Sequence, residues 1–259
     1  MIAWYDVAFD ELYPELYAHR DDTEAETAIT WLETALRTSG LGGLRGRRVL
    51  DLGCGTGRHL RALAGRGAEP VGLDRSLPIL ARARAGLPSG AALVAGDLRA
   101  LPFRRGAFGG ALSMFTSLGY FAAEADHAAA FADAGRVLEP GAFLAVDYLN
   151  AQAVAAGPEP DSRRAVGDYE VEERRRIAAG GTRIEKEVTI RRLSARGAGE
   201  PVKHYVESVA LWDRPELEAR LRRAGLEPRV AAGDYQGAPY GLRSPRLILL
   251  CERGSGEVA

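Results

Sequence analysis

The chain has 259 residues, of which 46% are hydrophobic and 7% aromatic, which is enough to bury one sizeable core with a modest appendage. Its 34 Lys and Arg residues are balanced by 35 Asp and Glu residues, so the overall charge gives no attraction to nucleic acid or to an anionic membrane. No apolar run approaches the ~20 residues of a membrane-spanning helix, and residues 1 to 20 are too acidic and polar for a signal peptide, so the expected location is the cytoplasm.

Helix-like and strand-like segments alternate along the first 150 positions of the chain. Apolar residues at helical spacing from Ala25 to Leu36 predict one amphipathic helix that begins near Thr23 and ends near Ser39. Beyond it, predicted strands at 48–52, 70–73, 91–95, 111–115 and 143–148 alternate with predicted helices at 58–66, 77–85 and 122–138. Strands separated by helices must pair in parallel, because a tight turn cannot join parallel neighbours. The sequence therefore predicts an α/β fold.

The pattern changes near Asp168, where strand-like runs follow one another without helices. Runs at 169–177, 182–193 and 202–212 are separated by glycine-containing turns and predict an antiparallel meander. Within the second run, Ile184, Val188 and Ile190 share one face while charged residues occupy the other, as in a sheet with one solvated side. A helix at 215–224 and strands at 229–232 and 246–252 are predicted to complete the chain.

The most informative motif is the stretch from Val49 to Arg58, in which a predicted strand runs directly into glycines at alternate positions and then into a helix. Glycine at positions 53, 55 and 57 lets the backbone turn sharply and lets a ligand approach without meeting a Cβ atom. Taken alone, the glycines are also compatible with a tight strand-to-helix turn that binds nothing.

Two acidic residues follow the next two strands at the same edge of the predicted sheet. Asp74 closes the second strand about twenty residues after the glycines, where a carboxylate can accept hydrogen bonds from both hydroxyls of a ribose. Asp97 follows the third strand, where its side chain can accept a hydrogen bond from the amino group of adenine. One carboxylate at a strand end is as often a helix N-cap, but three strand ends in register favour a ligand crevice.

These motifs, residues 49–57, Gly72-Leu73-Asp74 and Gly96-Asp97-Leu98, resemble those of the class I S-adenosylmethionine-dependent methyltransferases. The resemblance covers about residues 45 to 150. It implies a Rossmann-like, mostly parallel seven-stranded sheet whose last strand is antiparallel. One departure is Gly109, which follows Phe108 where many relatives carry Asp, and it leaves the start of the fourth strand open.

The resemblance also implies S-adenosyl-L-methionine as cofactor, with S-adenosyl-L-homocysteine as product. Gly53 and its neighbours would lie along the methionine part, Asp74 would hold the ribose, and Asp97 with the Leu98 backbone would hold the adenine. The expected cofactor-binding residues are Asp51, Gly53, Cys54, Gly55, Thr56, Gly57, Asp74, Arg75, Asp97, Leu98, Met114 and Tyr17. No metal is expected, because the two cysteines, Cys54 and Cys251, lack the spacing of a zinc site.

A nicotinamide-dependent dehydrogenase is the nearest alternative, because it also uses a glycine turn and an acidic residue about twenty positions later. The glycine spacing argues against it. The three glycines follow G-x-G-x-G, whereas the dinucleotide motif needs its third glycine at the position that Arg58 occupies.

The resemblance extends, more weakly, to bacterial small-molecule enzymes such as amino-sugar N,N-dimethyltransferases. It implies an N-terminal helical lid at 1–40, a cofactor-binding domain at 41–150 and 213–259, and an antiparallel β insertion at 151–212. His59 is either a site residue or a packing residue of the glycine turn. The candidates for contact with the acceptor are Tyr5, Thr116, Tyr120, Tyr240, Arg243 and Arg246.

The expected partner is a small-molecule methyl acceptor that offers nitrogen or oxygen. Nucleic acid is not an expected partner, because the insertion mixes arginines with glutamates. A membrane is not expected either, because the overall charge is balanced and the apolar runs are short. An RNA or protein methyltransferase, and a protein that holds the cofactor without turnover, are the alternatives kept open. The catalytic residues, the acceptor atom, the number of methyl groups transferred and the oligomeric state stay open at this stage.

Overall fold

The computed structural model describes residues 3–17, 21–157, 161–194 and 197–256. Its helices are α1 (Trp4–Ala8), α2 (Tyr13–Leu16), α3 (Asp22–Thr38), α4 (Arg58–Gly65), α5 (Leu77–Ala85), α6 (Glu124–Arg136), α7 (Ala151–Ala156) and α8 (Arg214–Arg223). Its strands are β1 (Arg48–Leu52), β2 (Glu69–Asp74), β3 (Ala92–Ala95), β4 (Phe108–Ser113), β5 (Leu138–Leu149), β6 (Ser162–Val166), β7 (Tyr169–Ala178), β8 (Arg183–Ser194), β9 (Gly197–Ala210), β10 (Leu226–Ala232) and β11 (Arg246–Arg253).

Seven strands form one sheet in the order β10-β11-β5-β4-β1-β2-β3. All described neighbours pair in parallel except β11, which runs antiparallel to both β5 and β10. This confirms the predicted Rossmann-like fold with its antiparallel last strand. The strand order reverses between β1 and β4, and a crevice opens where the loops after these two strands diverge.

Hydrophobic side chains cover both faces of this sheet. One face packs against α6 and α8 through buried residues such as Phe131 and Leu221, and the other packs against α3 and α4 through Leu32 and Leu63. Helix α3 begins at Asp22, one residue before the predicted Thr23, because the Asp21 side chain accepts a hydrogen bond from the Glu24 amide at 3.0 Å and caps its first turn.

The second sheet has four antiparallel strands in the order β6-β7-β8-β9. The three-stranded meander of the prediction is present, and strand β6 is added at its edge. The prediction lacked β6 because its five residues include Arg163 and Arg164 and give no clear alternation of apolar side chains. The small sheet lays its apolar face on the N-terminal helices through Val171, Val188 and Ile190.

Strand β4 begins at Phe108 and ends at Ser113, two residues before the predicted end. The early end has a local cause, since Phe115 and Thr116 adopt left-handed backbone conformations with φ of +54° and +67°. A strand cannot continue through such residues. No helix in the described part of the chain is long and apolar enough to cross a membrane.

Candidate functional site

The loop between β1 and α4 turns sharply on three glycines. Gly53, Gly55 and Gly57 have φ of +79°, +54° and +77°, values that L-residues with a side chain rarely adopt. The amides of Gly53 and Cys54 both donate to the Leu73 carbonyl oxygen, at 2.8 and 3.0 Å, and this folds the loop over the end of β2. A Cβ atom on Gly55 would meet nothing within 4 Å, so bare backbone faces open space there.

Asp74 at the end of β2 is joined to that loop. One carboxylate oxygen accepts the Gly55 amide and the other accepts the Ser76 amide, each at 2.9 Å. Ser76 is the N-cap of α5, so Asp74 does not serve as the cap that its position also allowed. Burial raises the pKa of Asp74, and amide hydrogen bonds oppose that rise. Lone pairs remain on both oxygens for the hydroxyls of a ligand.

Asp97 lies beyond the end of β3 and faces two guanidinium groups. Its Oδ2 accepts from Arg99 at 2.7 Å and from Arg75 at 3.0 Å. The hydrogen bonds from Arg99 lower the pKa of Asp97 to about 2, so the carboxylate is ionised at neutral pH. Arg75 also pairs with Asp6 of α1 at 2.7 Å and thereby links the N-terminal segment to this edge of the sheet.

One crevice unites the ends of β1, β2, β3 and β4 with helices α1 and α2. Of the residues expected from the sequence, those that line it are Tyr5, Tyr17, Gly53, Cys54, Gly55, Thr56, Asp74, Arg75, Asp97, Leu98, Met114 and Tyr120. His59 lines it too. The structure therefore brings the three strand ends and the tyrosines of the amino terminus to one place.

Asp51, also expected in the site, does not line the crevice; it lies at the end of β1 before the glycine loop and is buried without a hydrogen-bond partner on either carboxylate oxygen within the described part of the chain. Burial raises its pKa to about 7. Its nearest cation-forming neighbour is His59, whose Nδ1 lies 3.7 Å from Asp51 Oδ2. Burial lowers the pKa of His59 to about 3, so this imidazole is neutral. A buried carboxylate without partners is unstable unless a cation or a donor reaches it.

Five further residues expected in the site do not line the crevice. Gly57 is the N-cap of α4, and Thr116 is a buried residue of the turn after β4. Tyr240 donates its hydroxyl to Asn150 Oδ1 at 2.9 Å, and Arg243 is exposed in the loop between β10 and β11. Arg246 forms a two-pronged hydrogen-bonded ion pair with the buried Asp147, which commits its guanidinium to that carboxylate.

The sequence did not single out several crevice residues that the structure brings there. Phe9 and Pro14 lie at or next to the short helices α1 and α2. These helices are too short for apolar residues to recur at helical spacing, so the sequence does not predict them. Arg58 is a further crevice residue; the sequence marks it only as the residue at the position where a dinucleotide-binding motif needs its third glycine. Its guanidinium pairs with Glu24 at 2.5 Å and lies 4.4 Å from the centroid of the Phe115 ring.

Known proteins match the chain in sequence. Residues 49–141 match the family model of a methyltransferase domain. A dTDP-3-amino-3,4,6-trideoxy-alpha-D-glucopyranose N,N-dimethyltransferase of Streptomyces venezuelae is 32% identical over 195 residues, which cover 73% of this chain and 79% of that relative. A cypemycin N-terminal methyltransferase of a Streptomyces species is 30% identical over 219 residues, which cover 81% of this chain and 84% of that relative.

A solved structure is similar as well. It is an amino pentose methyltransferase of Micromonospora echinaspora with S-adenosylmethionine bound, 26% identical, with a TM-score of 0.61 over 86% of this chain and 91% of that one. In this chain the glycine turn and the two following carboxylates lie together at the ends of β1, β2 and β3, the edge at which open α/β sheets bind ligands. The chain therefore belongs to the class I S-adenosylmethionine-dependent methyltransferases and takes S-adenosylmethionine as its methyl donor.

Proposed function

We propose that the chain methylates a nitrogen atom of a small-molecule amine, and that the amine is an amino sugar carried on a nucleoside diphosphate. The observation that carries the proposal is the similarity to the sugar N,N-dimethyltransferase, which extends over 79% of that relative and so beyond the shared cofactor motifs. The crevice wall agrees with this acceptor, because Phe9, Tyr13 and Tyr17 line it with aromatic side chains.

Charge pairing on the small sheet argues against nucleic acid as acceptor. Its arginines are matched by glutamates, as in the pairs of Arg175 with Glu173 and of Arg176 with Glu185, each at 2.6 Å. Binding a phosphate backbone requires a continuous positive surface. A peptide amine is the second candidate, since the cypemycin N-terminal methyltransferase is 30% identical over 84% of its length.

For the cofactor, we assign the roles that the positions of the side chains support. Asp74 holds the ribose hydroxyls, Asp97 and the Leu98 backbone hold the adenine, and the Gly53–Gly55 backbone lies along the methionine part. The two unpartnered oxygens of Asp51 suit the cationic amino group of that part. When bound, the cofactor supplies a methyl group that its sulfonium has already activated.

The residues around the crevice then align the acceptor and exclude water. Methyl transfer from a sulfonium needs near-attack alignment more than it needs acid or base help. Helices α1 and α2 provide this enclosure with the rings of Tyr5, Phe9 and Tyr13. His59 lines the crevice as a neutral imidazole, but burial lowers its pKa to about 3, so it is too weak a base to take a proton from the acceptor.

We retain 41–150 with 213–259 as the cofactor-binding domain, and we propose that the lid and the insertion at 151–212 act together as one cap. Lys203 of β9 is 7% exposed, pairs with Asp10 at 2.8 Å and donates to the Ala8 carbonyl at 2.9 Å. Arg164 of β6 donates to the Leu16 carbonyl at 2.9 Å. The small sheet thus supports the segment that covers the crevice.

Replacing Lys203 with Met is expected to loosen the lid. The substitution removes the contacts of the Lys203 ammonium with Ala8 and Asp10. Because hydrogen bonds to a charged group are lost, amide hydrogen exchange should become about tenfold faster over residues 4–16. Hydrogen exchange with mass spectrometry measures this. Arg176→Met is the control, since that arginine is 74% exposed and pairs only across the small sheet with Glu185. Equal exchange in both variants would contradict the cap.

Replacing Asp74 with Ala is expected to weaken the binding of S-adenosylhomocysteine by about 1.5 to 3 kcal/mol, as for lost hydrogen bonds to a charged group. Calorimetric titration measures the affinity. Asp168→Asn serves as a control, because that residue is exposed in the turn between β6 and β7. An unchanged affinity in Asp74→Ala would remove this carboxylate from the cofactor site.

The acceptor class is tested by incubating the protein with S-adenosylmethionine and a panel of three acceptor types, followed by mass spectrometry. The panel contains dTDP-linked amino sugars, short peptides with free N-termini, and catechols as oxygen acceptors. We expect a mass gain of one or two methyl groups on the amino sugars. Methylation of the peptides alone would favour the second candidate, and methylation of the catechols alone would contradict an amine acceptor.

A further inference from the structure

The turn after β4 forms the part of the crevice wall that faces the glycine loop. Met114, Phe115, Ser117 and Tyr120 of this turn all line the crevice. The turn also touches the cofactor loop directly, since a Cβ atom placed on Gly53 would lie 3.0 Å from Ser117 Oγ. The position of this turn therefore determines the shape of the cofactor seat at the end of β1.

The backbone of the turn is held in a conformation that its residues disfavour. Phe115 and Thr116 are consecutive left-handed residues, with φ of +54° and +67°, although neither is glycine. For aromatic and β-branched residues this region is sparsely populated, and such residues persist only where surrounding contacts fix them. The contacts that fix this turn are thus part of its function.

Asp147 of β5 supplies two of these contacts. Its carboxylate Oδ2 accepts the Phe115 amide at 3.1 Å, and its backbone carbonyl accepts the Thr116 amide at 3.0 Å. A third contact comes from within the loop, because the Tyr120 hydroxyl donates to the Phe115 carbonyl at 2.9 Å. The amides of Phe115 and Thr116 therefore both donate to Asp147, which is fully buried.

Asp147 is held in turn by two residues from the segment that contains the β10–β11 loop and the start of β11. Arg246 at the start of β11 donates from Nε and Nη2 to the two carboxylate oxygens, and the Tyr235 hydroxyl donates to Oδ2 at 2.9 Å. The Arg246 guanidinium also lies 4.7 Å from the centroid of the Phe115 ring, on which the Arg58 guanidinium packs as well. The Asp147–Arg246 ion pair therefore contacts both the backbone and the ring of Phe115.

We infer that Asp147, Arg246 and Tyr235 are positioning residues for methyl transfer, which act through the Phe115–Thr116 turn and do not line the crevice themselves. A buried ion pair with a bidentate guanidinium is a rigid support, because both partners are committed to one geometry. Loss of the support lets the turn relax toward ordinary backbone angles and moves Met114 and Ser117 relative to the glycine loop. Displacements of about 1 Å at such a wall have large effects on a reaction that depends on alignment.

The test compares Arg246→Met and Tyr235→Phe with the wild-type protein. Tyr235→Phe removes one hydroxyl and keeps the ring, so this variant should fold even if Arg246→Met does not. Arg229→Met is the matched control, since Arg229 lies on β10 and forms an exposed pair with Glu252 at 2.6 Å. The readouts are amide hydrogen exchange, calorimetric affinity for S-adenosylhomocysteine, and the melting temperature.

We expect exchange to become about tenfold faster at the Phe115 and Thr116 amides in both variants, with the Gly53 and Gly55 amides unchanged. Affinity for S-adenosylhomocysteine should fall about tenfold in Arg246→Met and about threefold in Tyr235→Phe, and stay within about twofold in the control. Faster exchange spread over β5 and β11 with unchanged affinity would show a purely structural role and overturn the inference. Unchanged exchange at Phe115 and Thr116 would overturn it as well.

Discussion

Replacing Asp51 with Asn is expected to stabilise the cofactor-free protein and to weaken cofactor binding at the same time. The carboxyl is fully buried and unpartnered within the described part of the chain, and its pKa is raised from 3.8 to about 7. The folded state therefore binds a proton more tightly than the unfolded state, and stability falls as pH rises from about 4 to 7. Above pH 7, a rise of three pKa units lowers the free energy of unfolding by about 4 kcal/mol. The uncharged Asn side chain should remove most of this loss of stability.

Thermal unfolding between pH 4 and pH 8 measures this first effect. The melting temperature of Asp51→Asn should exceed that of the wild-type protein by about 5 to 10 °C at pH 8, and the difference should shrink toward pH 4. Calorimetry measures the second effect, for which we expect at least a tenfold loss of affinity for S-adenosylhomocysteine, as for a lost charge-assisted contact. The exposed Asp168→Asn should change neither quantity.

Cofactor binding should also release protons from the wild-type protein near pH 7. A cationic amino group beside Asp51 favours the ionised carboxylate, so affinity rises as pH increases from 6 to 8. Titrations in two buffers of different ionisation enthalpy give the number of protons released. Proton release that persists in Asp51→Asn would assign it to another group and contradict this role.

Replacing Gly110 with Ala is expected to destabilise the fold by about 2 to 3 kcal/mol or more, through overpacking of the central sheet. A Cβ atom at this position of β4 would lie 2.2 Å from the ring of Phe143, which faces it on β5 and is fully buried. Because protein interiors are close-packed, a fully buried ring can move aside only at a cost in free energy.

The adjacent glycine provides the control for this prediction. A Cβ atom on Gly109 would lie no closer than 3.7 Å to Arg47, so Gly109→Ala should be tolerated. Urea denaturation of the two variants measures the difference in the free energy of unfolding. Equal stability of both would mean that the close contact between β4 and β5 does not restrict side-chain size.

The sequence predicts the cofactor half of the molecule well because its signals are local. The bounds of β1 at Arg48–Leu52 and of α5 at Leu77–Ala85 agree with the prediction, and both lie beside strong turn or cap residues. The glycine turn, Asp74 and Asp97 meet in one crevice for the same reason, since the carboxyl ends of parallel strands share one edge.

The remaining parts of the site depend on contacts between distant residues, which leave no periodic pattern. Arg246 and Asp147 are 99 positions apart, and Tyr17 donates to Glu173 across 156 positions. The sequence predicts an acceptor contact for Arg246, whereas in the structure its guanidinium forms an ion pair with the buried Asp147. The left-handed conformation of Phe115 and Thr116 has no sequence signal either, because neither residue favours it.

A crystal structure with S-adenosylhomocysteine would show whether the crevice at the ends of β1, β2 and β3 holds the adenosyl group. The ribose hydroxyls should be within hydrogen-bond distance of the Asp74 carboxylate, the adenine beside Asp97 and Leu98, and the amino group nearest to Asp51. Density for the nucleoside at another place, or a saturated crystal whose crevice contains only solvent, would contradict the account.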